Sequence, residues 1–576
     1  MIQNIINLVN NYFRGTIPFF ITANFILLII LIYFNRRELW RFFKKIKNRT
    51  WLILILIILL ASFLRIFIAP HQTIMFGDEG WYMETAKNML DGNYGYFVRD
   101  VYKSIGGPFV IAISFLLFGI DNLVAHYASS VLGILTVFNI FCLALVLFKK
   151  ENIALWSAFL FSLIPVHIVW SGSAETNVAS VFFITLALFF SLLYFKQKNN
   201  RLFWLSLIAI AFACQMRIEN HFLILLFLLG LSIFKVKVFE KANLRTVLSN
   251  LFLIGLIIML IIPNLANALD HHLSTNWNEL TIENQQYVPN LSISNLVYNS
   301  TDQASHFLDT RYHPLIFSFF LIIGFIHTLI KKRKSSIFLS FWFLLLFLIY
   351  FSCWPNLGPK SRFFMGFYPI TTLFAGYGLY FFIGCLKLEK FKKFLILILV
   401  PIIILIFLPY IKREIEDTPF TSQGKMQTGI THLAVKKIPK DCIIIANEPG
   451  ILTGVIDSEI INLKSFLTLK NSNQVTLQKT NCLLFFKDYT CDPSMQFLPD
   501  WQENYKEIKK RYKLTPYLVY PEEELVKSEQ IIKTKSFLIN FSESIAEIFK
   551  IEGQFYNQRL SNPIESYGFY KIFLKE

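Results

Sequence analysis

The sequence predicts an α-helical polytopic membrane protein with about 12 transmembrane helices and a small C-terminal soluble α/β domain. Hydrophobic residues make up 55% of the 576 residues, and the mean hydropathy is +0.50, well above that of soluble domains. Apolar runs of about 20 residues recur up to residue 411, and each is long enough to cross a hydrocarbon core of ~30 Å. Beyond that point the apolar runs are shorter, so a separate domain is expected at 412–576.

The membrane part divides into an N-terminal span with its basic loop (1–50) and a main transmembrane domain (51–411) with an external loop at 70–121. An apolar run at 106–119 would reach only ~21 Å as a helix, so we expect it to lie at the outer membrane surface. The predicted spans are 16–34, 51–69, 122–148, 153–170, 177–195, 202–216, 221–234, 246–263, 314–330, 336–352, 363–386 and 394–410.

The net charge of +17 comes mainly from short loops in the membrane part. Residues 1–411 contain 33 Lys and Arg, and 24 of them lie in six loops between predicted spans. Basic residues in short loops mark the cytoplasmic side, so the charge indicates membrane topology rather than nucleic-acid binding. The loops around Asp78 and Glu175 and the C-terminal domain are then expected outside the cell. The six basic loops are 36–49, 149–150, 196–201, 235–245, 331–334 and 387–393.

The first external loop carries two adjacent acids, Asp78 and Glu79, in the stretch FGDEGWYMETAKNML at 76–90. Apolar residues from Tyr82 onward recur at helical spacing and Gly92 is a natural helix end, so a short amphipathic surface helix is expected. Asp78 would then cap this helix, with Glu79 favoured by the helix dipole. Capping needs only one such residue, however, and ionisable groups where apolar spans converge are more often functional.

The surrounding stretch, RIFIAPHQTIMFGDEGWYMETAKNMLDGNYGY, resembles the first external loop of the GT-C glycosyltransferases. The similarity is to glycosyltransferase family 39, the protein O-mannosyltransferase and aminoarabinose-transferase (ArnT-like) branch. That family places an Arg near the end of a span before an acidic pair, an aromatic residue and a surface helix. The matching residues here are Arg65, Asp78, Glu79, Trp81 and Tyr82. Arg65 itself is expected to extend to lipid headgroups.

Later stretches resemble the same family in the same order, so that the likeness covers roughly residues 50–410. Residues 170–190 resemble its second external loop, and WWDYG, the motif of oligosaccharyltransferase catalytic subunits, is absent. The span 16–34 is additional to the usual core. The other matching residues are Lys103, Pro108, Phe118, Gly119, Arg217, Glu219, Arg362, Phe363 and Pro369, and the departures are Ser104 and Ile105 for Pro-Pro, Ile218 for Pro, and Phe363 for Tyr.

The resemblance implies an enzyme that transfers a hexosyl or pentosyl group from a polyprenyl-phosphate donor to an acceptor hydroxyl, with inversion, outside the cell membrane. The acceptor would be a protein, a lipid or a glycan. Such a reaction needs a base for the acceptor proton and cations for the departing phosphate. Asp78 is predicted as the base, because a carboxylate partly withdrawn from water is a stronger base. Glu79 is predicted to assist by positioning the acceptor or sugar, or by binding a divalent metal.

Three cations are predicted to bind the donor phosphate: Lys103, Arg217 and Arg362. Arg217 has an alternative role as a structural partner of Glu219. Glu175 and Tyr82 are predicted to bind acceptor or sugar, and Glu175 is alternatively a helix-start residue. No Cys/His metal-binding pattern appears in the sequence. The sequence identifies no cofactor, and a divalent metal remains an option.

Two other functions stay open. A transporter or flippase of lipid-linked glycans would share the many spans and basic loops, but it would place polar residues or broken helices at mid-membrane. A catalytically inactive scaffold would keep the fold, but the presence of Asp78, Glu79 and Lys103 argues against it.

The C-terminal domain is predicted to mix strands and helices. Cys482 and Cys491 flank LLFFKDYT and could form a disulfide, depending on the compartment. Strands are expected at 442–447, 482–487, 516–520 and 567–575, with helix or loop at 425–438 and 528–536.

Overall fold

The structure is a computed structural model, and it describes most of the membrane part and the strands of the C-terminal part. The described residues are 13–71, 78–93, 97, 103–236, 244–274, 292–303, 313–353, 361–385, 389–417, 442–446, 460–462, 483–487, 510, 512–517 and 568–574.

The described part is mainly helical. Its α-helices are α1 (Ile17–Phe34), α2 (Arg36–Phe43), α3 (Asn48–Phe63), α4 (Asp78–Leu90), α5 (Gly106–Phe118), α6 (Asn122–Phe148), α7 (Glu151–Ser162), α8 (Pro165–Trp170), α9 (Thr176–Gln197), α10 (Asn200–Cys214), α11 (Phe222–Ile233), α12 (Leu244–Ser274), α13 (Ile293–Gln303), α14 (Leu315–Lys331), α15 (Arg333–Cys353), α16 (Tyr368–Cys385) and α17 (Glu389–Asp417). A π-helical turn, Leu64–Ile68, continues α3, and 3-10 turns at Ile218–His221 and Ser361–Phe367 precede α11 and α16.

Every predicted span contains a helix. Seven of the described helices are long and apolar enough to cross a membrane: α1, α3 with its π turn, α6, α9, α12, α15 and α17. Four shorter apolar helices accompany them, over Gly106–Phe118, Asn200–Cys214, Ile218–Ile233 and Leu315–Lys331. The chain is therefore a helical membrane protein, and the number of crossings remains a prediction.

The predicted span 153–170 is not one helix. It consists of α7 and α8, with a break at Leu163 and Ile164 directly before Pro165. Proline has no backbone N–H and clashes with the preceding turn of a helix, whereas at the first position of a new helix it is well tolerated. The break leaves the last carbonyls of α7 without partners within the helix, which matters for Arg65 below.

Helix α9 lies at the centre of the bundle. Of its most apolar 18 residues 89% are buried, against 28% for α1 at the periphery. It packs against α6 and α10, while α16 packs against α7 and α14. The α14–α16 contact depends on two glycines, because a Cβ on Gly324 would lie 1.8 Å from the Phe374 carbonyl oxygen and one on Gly378 would lie 2.0 Å from that of Phe320.

The two ends of α9 differ in charge. The helix begins after the acidic Glu175. Near its other end Lys196 lies close enough to three lysines of two other loops to be repelled by their charges, namely Lys149, Lys332 and Lys334. A helix of 22 residues is ~33 Å long, which is close to the thickness of a hydrocarbon core. The loops 149–150, 196–201 and 331–334 thus meet at the end of α9 opposite to Glu175, here called the basic end of the bundle. The orientation of the bundle in the membrane stays a prediction.

The described C-terminal strands form one five-stranded mixed sheet in the order β2-β1-β3-β5-β4. Strand β1 (Ile443–Ala446) pairs in parallel with β2 (Ile460–Asn462) and β3 (Leu483–Lys487), and β5 (Gly568–Leu574) pairs antiparallel with β3 and β4 (Tyr512–Tyr517). Three strand predictions coincide with β1, β3 and β5. Strand β4 begins before the predicted 516–520 and overlaps it at Pro516 and Tyr517, and residues 518–520 lie outside the described residues. Strand β2 was not predicted. The helix-or-loop predictions at 425–438 and 528–536 lie outside the described residues.

The described cysteines divide into free thiols and one bonded residue. Cys142, Cys214 and Cys385 are free. Cys442, directly before β1, is disulfide-bonded. The predicted pairing of Cys482 with Cys491 lies outside the described residues.

Candidate functional site

The surface helix α4 is present as predicted, with Asp78 as its first residue and Gly92 in a left-handed conformation (φ +66°) just after its end. Its apolar face, with Tyr82, Met83 and Ala86, is buried against α5 and contacts Phe115 there. This packing fixes α4, and with it the acidic pair, against the ends of the transmembrane helices. The role of the Asp78 carboxylate stays a prediction.

Glu79 is buried, with 3% of its surface exposed, and its carboxylate accepts three hydrogen bonds. Ser173 Oγ donates to Oε1 at 2.9 Å, while the Ala174 N–H and His126 Nε2 contact Oε2 at 3.1 Å each. Glu79 therefore ties α4 to helix α6, which carries His126, and to the loop 171–175 between α8 and α9.

Glu175 and Arg362 form an ion pair. Arg362 donates from a terminal guanidinium nitrogen to Glu175 Oε1 at 2.8 Å, and only 3% of the Glu175 side chain is exposed. The Glu175 N–H also donates to Ser173 Oγ at 3.0 Å, and Ser173 in turn donates to Glu79. A continuous series of contacts thus runs from α4 through the loop 171–175 to the 3-10 turn before α16. Glu175 is also the N-cap residue of α9, although its side chain makes no capping hydrogen bond.

Arg217 forms a two-pronged pair with Glu219. Its Nε lies 3.2 Å from Glu219 Oε2 and one terminal nitrogen lies 2.9 Å from Oε1, while the other donates to Asn177 Oδ1 at 2.7 Å. Burial acts to lower the pKa of Arg217, but the adjacent Glu219 carboxylate raises the pKa well above its usual range. Arg217 is therefore a permanent cation beside the start of α9, and the alternative of a structural pair with Glu219 is present in the structure.

Lys103 lies over the aromatic rings of α4. Its Nζ is 5.7 Å from the ring centroids of both Trp81 and Tyr82, within the range of a cation–π contact. Its backbone carbonyl accepts a hydrogen bond from Asn267 Nδ2 at 3.4 Å. Tyr82, predicted to bind acceptor or sugar, is 5% exposed and forms part of the packed face of α4.

Two glycines at the start of α5 bring the site residues together. A Cβ on Gly106 would lie 2.5 Å from the Gln215 carbonyl oxygen, and one on Gly107 would lie 1.9 Å from Thr176 Cγ2. The Gly106 N–H also donates to the Gln215 carbonyl at 2.9 Å. The segment after Lys103 therefore packs closely between the end of α10 and the start of α9. Arg217 follows α10, and Glu175 directly precedes α9.

The prediction that Arg65 extends to lipid headgroups is wrong. Its side chain is fully buried, and it donates to the carbonyl of Ser162 at 3.1 Å and contacts His167 Nδ1 at 3.1 Å. It also reaches the Phe161 carbonyl at 3.5 Å. These carbonyls belong to the last turn of α7, where the break before Pro165 removes their partners in the helix. Arg65 therefore supports the broken helix that leads into the loop 171–175.

His71 lies at the start of the first external loop and contacts helix α6. Its Nε2 lies 2.9 Å from Ser130 Oγ, and its ring stacks on Tyr127 at a centroid distance of 4.5 Å. Burial, with a further contribution from nearby His126, lowers the pKa of His71 to about 4. Because of this pKa, His71 is neutral at physiological pH. Ser130 also donates to the Ser171 carbonyl at 2.8 Å, so His71 is connected through Ser130 to the loop 171–175 that contacts Glu79.

Metal binding receives no support from the described side chains. Among the residues that the structure describes, no group of three or more His, Cys, Asp or Glu is arranged to hold a metal ion.

A family comparison matches part of the chain. Residues 102–266 match the model of the dolichyl-phosphate-mannose-protein mannosyltransferase family. The resemblance to GT-C glycosyltransferases of this kind is confirmed. An uncharacterized protein of Aquifex aeolicus (strain VF5) is 31% identical over 150 residues, which is 25% of this chain and 30% of that protein. The match thus spans less than a third of that relative.

Two solved structures are similar to this chain over much of its length. The Archaeoglobus fulgidus oligosaccharyltransferase tethered with an acceptor peptide is 12% identical, with a TM-score of 0.47 and 82% of this chain and 73% of that chain covered. ArnT from Cupriavidus metallidurans bound to undecaprenyl phosphate is 12% identical, with a TM-score of 0.49 and 82% and 97% covered.

The part that matches the mannosyltransferase family contains three of the predicted site residues, Lys103, Glu175 and Arg217. Asp78, Glu79 and Arg362 lie outside it. Sequence reasoning missed His126 and Ser173, which contact Glu79. The polar stretch SGSAETN at 171–177 inside an apolar region was the available signal for Ser173, whereas nothing in the sequence distinguished His126 from a packing residue of its helix.

Proposed function

We propose that this chain is a membrane glycosyltransferase that moves a sugar from a polyprenyl-phosphate donor to an acceptor hydroxyl on the extracytoplasmic face, with inversion. The observation that carries the proposal is a group of buried charged residues beside α4 and the start of α9. It consists of Glu79, the pair Glu175–Arg362 and the pair Arg217–Glu219. Charged groups buried among apolar helices are costly, so a network of this size at one membrane edge favours a functional site.

Asp78 is the proposed base. It takes the proton from the acceptor hydroxyl as that oxygen forms a bond to the anomeric carbon of the sugar. The bond between this carbon and the phosphate oxygen breaks on the opposite face, so the configuration inverts and the polyprenyl phosphate leaves with the electron pair. The start of α4 suits this role, because the helix is packed against α5 and the neighbouring Glu79 is fixed by its contacts with Ser173 and His126.

Glu79 is the proposed positioning residue. Its two carboxylate oxygens already accept hydrogen bonds from Ser173, Ala174 and His126, which leaves little capacity for an acceptor hydroxyl. A base also needs to release its proton to solvent or product, and a carboxylate with 3% exposure has little access to either. Glu79 therefore orients α4, and Asp78 with it, relative to the loop that begins α9.

Lys103 and Arg362 are the proposed contacts of the donor phosphate. Arg362 uses one terminal nitrogen for Glu175, and the fork of a guanidinium has further N–H groups that can bind a phosphate oxygen. Lys103 is held over Trp81 and Tyr82 on α4, close to the proposed base. Arg217 contributes a nearby positive charge whose position Glu219 and Asn177 fix. Glu175 would then orient Arg362, and Tyr82 would orient Lys103.

A lipid extraction tests this proposal. Strains with the gene deleted, with Asp78→Asn, and with the control Asp91→Asn, an exposed residue just after α4, are compared by mass spectrometry of polyprenyl-phosphate sugars. The deletion and Asp78→Asn should accumulate the same glycolipid, and Asp91→Asn should match the wild type. If Asp78→Asn is present in the membrane and behaves as the wild type, Asp78 is not the base.

A further inference from the structure

The N-terminal helix α1, which lies before the part that matches the family model, ends in a fixed bend. The bend is at Asn35, which is fully buried and donates from Nδ2 to the Leu31 carbonyl at 2.8 Å and to the Arg201 carbonyl at 3.3 Å. The second of these contacts joins the bend to the basic loop 196–201. The following helix, α2, therefore leaves the bundle at a defined place on its basic end.

Helix α2 has one face against the protein and one face away from it. The ring of Phe42 packs against Phe189 at 5.5 Å, and that of Phe43 packs against Phe138 at 5.8 Å. On the other face 67% of Trp40 is exposed. A short helix with inward aromatic residues, outward Trp and many cations is typical of a helix at the membrane–water interface.

An open groove lies between the end of α1 and α2, with a volume of about 410 Å³. Arg36 is the single charged residue of its lining. The Arg36 guanidinium carbon lies 4.0 Å from the Tyr33 ring centroid, and the side chain donates to the Tyr33 carbonyl at 3.1 Å, which holds it at the edge. The apolar lining residues are Ile29, Ile32, Tyr33, Leu39, Trp40 and Phe43.

The segment around the groove is strongly basic. Residues 36–49 contain seven Lys and Arg and one acid, Glu38, which lies 3.7 Å from Arg41. The neighbouring acid Glu151 accepts hydrogen bonds from the Lys47 N–H and from Thr50 Oγ1, so its contacts here are not with cationic side chains. Among the residues whose side chains the structure describes, Glu38 is the one carboxylate in an ion pair with this segment, so an anionic partner fits the remaining positive charge.

We propose that this groove binds one anionic glycerophospholipid, with an acyl chain between α1 and α2 and the phosphate against Arg36, Arg37 and Arg41. The apolar lining suits the chain, and Arg36 in that lining, with Arg37 and Arg41 of the same helix, suits the headgroup. The additional N-terminal helix then has a role that is independent of sugar transfer: it anchors the basic end of the bundle to anionic lipid.

Native mass spectrometry of the full chain tests the proposal. The protein is released from bilayers with equal amounts of phosphatidylglycerol and phosphatidylcholine, and the retained lipid is identified. The double variant Arg37→Gln/Arg41→Gln is compared with the control Lys332→Gln/Lys334→Gln in another basic loop. Each cation at a membrane surface changes affinity for anionic lipid about fivefold, so the first variant should lose most of its preference for phosphatidylglycerol.

A second variant tests the groove itself. Trp40→Ala removes an exposed wall of the groove without touching the core, so it should release both lipids more readily while the thermal unfolding temperature stays near that of the wild type. The proposal is overturned if the wild type retains both lipids equally. It is also overturned if Arg37→Gln/Arg41→Gln retains phosphatidylglycerol like the wild type, or if the control loses as much preference as that variant.

Discussion

Replacement of Glu79 by Gln separates a positioning role from a catalytic one. Gln keeps the shape of the side chain and one carbonyl oxygen, which can still accept from Ala174 and His126. The amide NH₂ then faces Ser173 Oγ, which can accept from it in place of donating. All three hydrogen bonds can therefore still form, and the stability that is lost is the part that the negative charge of the carboxylate contributed to each of them.

The magnitude follows from the three contacts. Hydrogen bonds to charged groups contribute ~1.5–3 kcal/mol against ~0.5–1.5 for neutral ones, so each contact loses about 1 kcal/mol. We expect Glu79→Gln to lower the free energy of unfolding by about 2–3 kcal/mol. Glu79→Ala removes the acceptors altogether and leaves buried donors unpaired, so it should cost about 3–5 kcal/mol.

The assay pairs thermal unfolding in detergent with measurement of the accumulated glycolipid. Glu79→Gln should be less stable than the wild type and should keep a substantial fraction of the activity at a temperature where it is folded. Asp78→Asn should show the opposite pattern, with the stability of the wild type and no activity. The positioning role is refuted if Glu79→Gln unfolds like the wild type and is as inactive as Asp78→Asn.

Three further predictions concern the surroundings of this network. Glu175→Gln should lower activity by weakening the contact that orients Arg362. Arg362→Lys should raise the apparent KM for the donor more than Glu175→Gln does, because only the arginine is proposed to touch the phosphate. Equal KM values for the two variants would contradict this. Gly107→Ala should severely lower the yield of folded protein through the clash with Thr176 Cγ2, and Thr176→Ser in the same chain should partly restore it; without any restoration the clash is not the cause. The pKa of His71 is about 4 in the folded state against 6.5 ordinarily, so the folded state binds fewer protons than the unfolded chain between these pH values. A contribution of His71 to the free energy of unfolding of about 3 kcal/mol, present above pH 6.5, should therefore be lost as the pH falls towards 4. Unfolding temperatures of wild type and His71→Gln across this range measure it, and an equal dependence on pH in both proteins would refute it.

The sequence predicted the helices well because hydrophobic runs and basic loops depend on local composition. The run 106–119 was expected as a helix and forms α5, which packs against α4, while its position at the membrane surface stays a prediction. The break before Pro165 was not foreseen, although proline is its visible cause. The strand β2 was missed because three residues carry too little pattern.

The candidate site was predictable in its members but not in its contacts. Asp78, Glu79, Glu175 and Arg217 could be named from acids and cations at the edges of apolar spans, and the family resemblance added Lys103 and Arg362. Sequence separation hides which of them meet: Glu175 and Arg362 are 187 residues apart, and Glu79 and Ser173 are 94 apart. The burial of Arg65 shows the same limit, because its partners are carbonyl groups of another helix, and backbone groups leave no mark in the sequence.

Conversion of the donor by purified protein tests the central claim most directly. Lipid extracted from the deletion strain serves as the source of donor, and wild type, Asp78→Asn and Asp91→Asn are each reconstituted with this lipid and with membranes that supply the acceptor. The account predicts that wild type and Asp91→Asn consume the accumulated polyprenyl-phosphate sugar and release polyprenyl phosphate, whereas Asp78→Asn leaves the sugar lipid unchanged. Release of polyprenyl phosphate by Asp78→Asn at the rate of the wild type would contradict it.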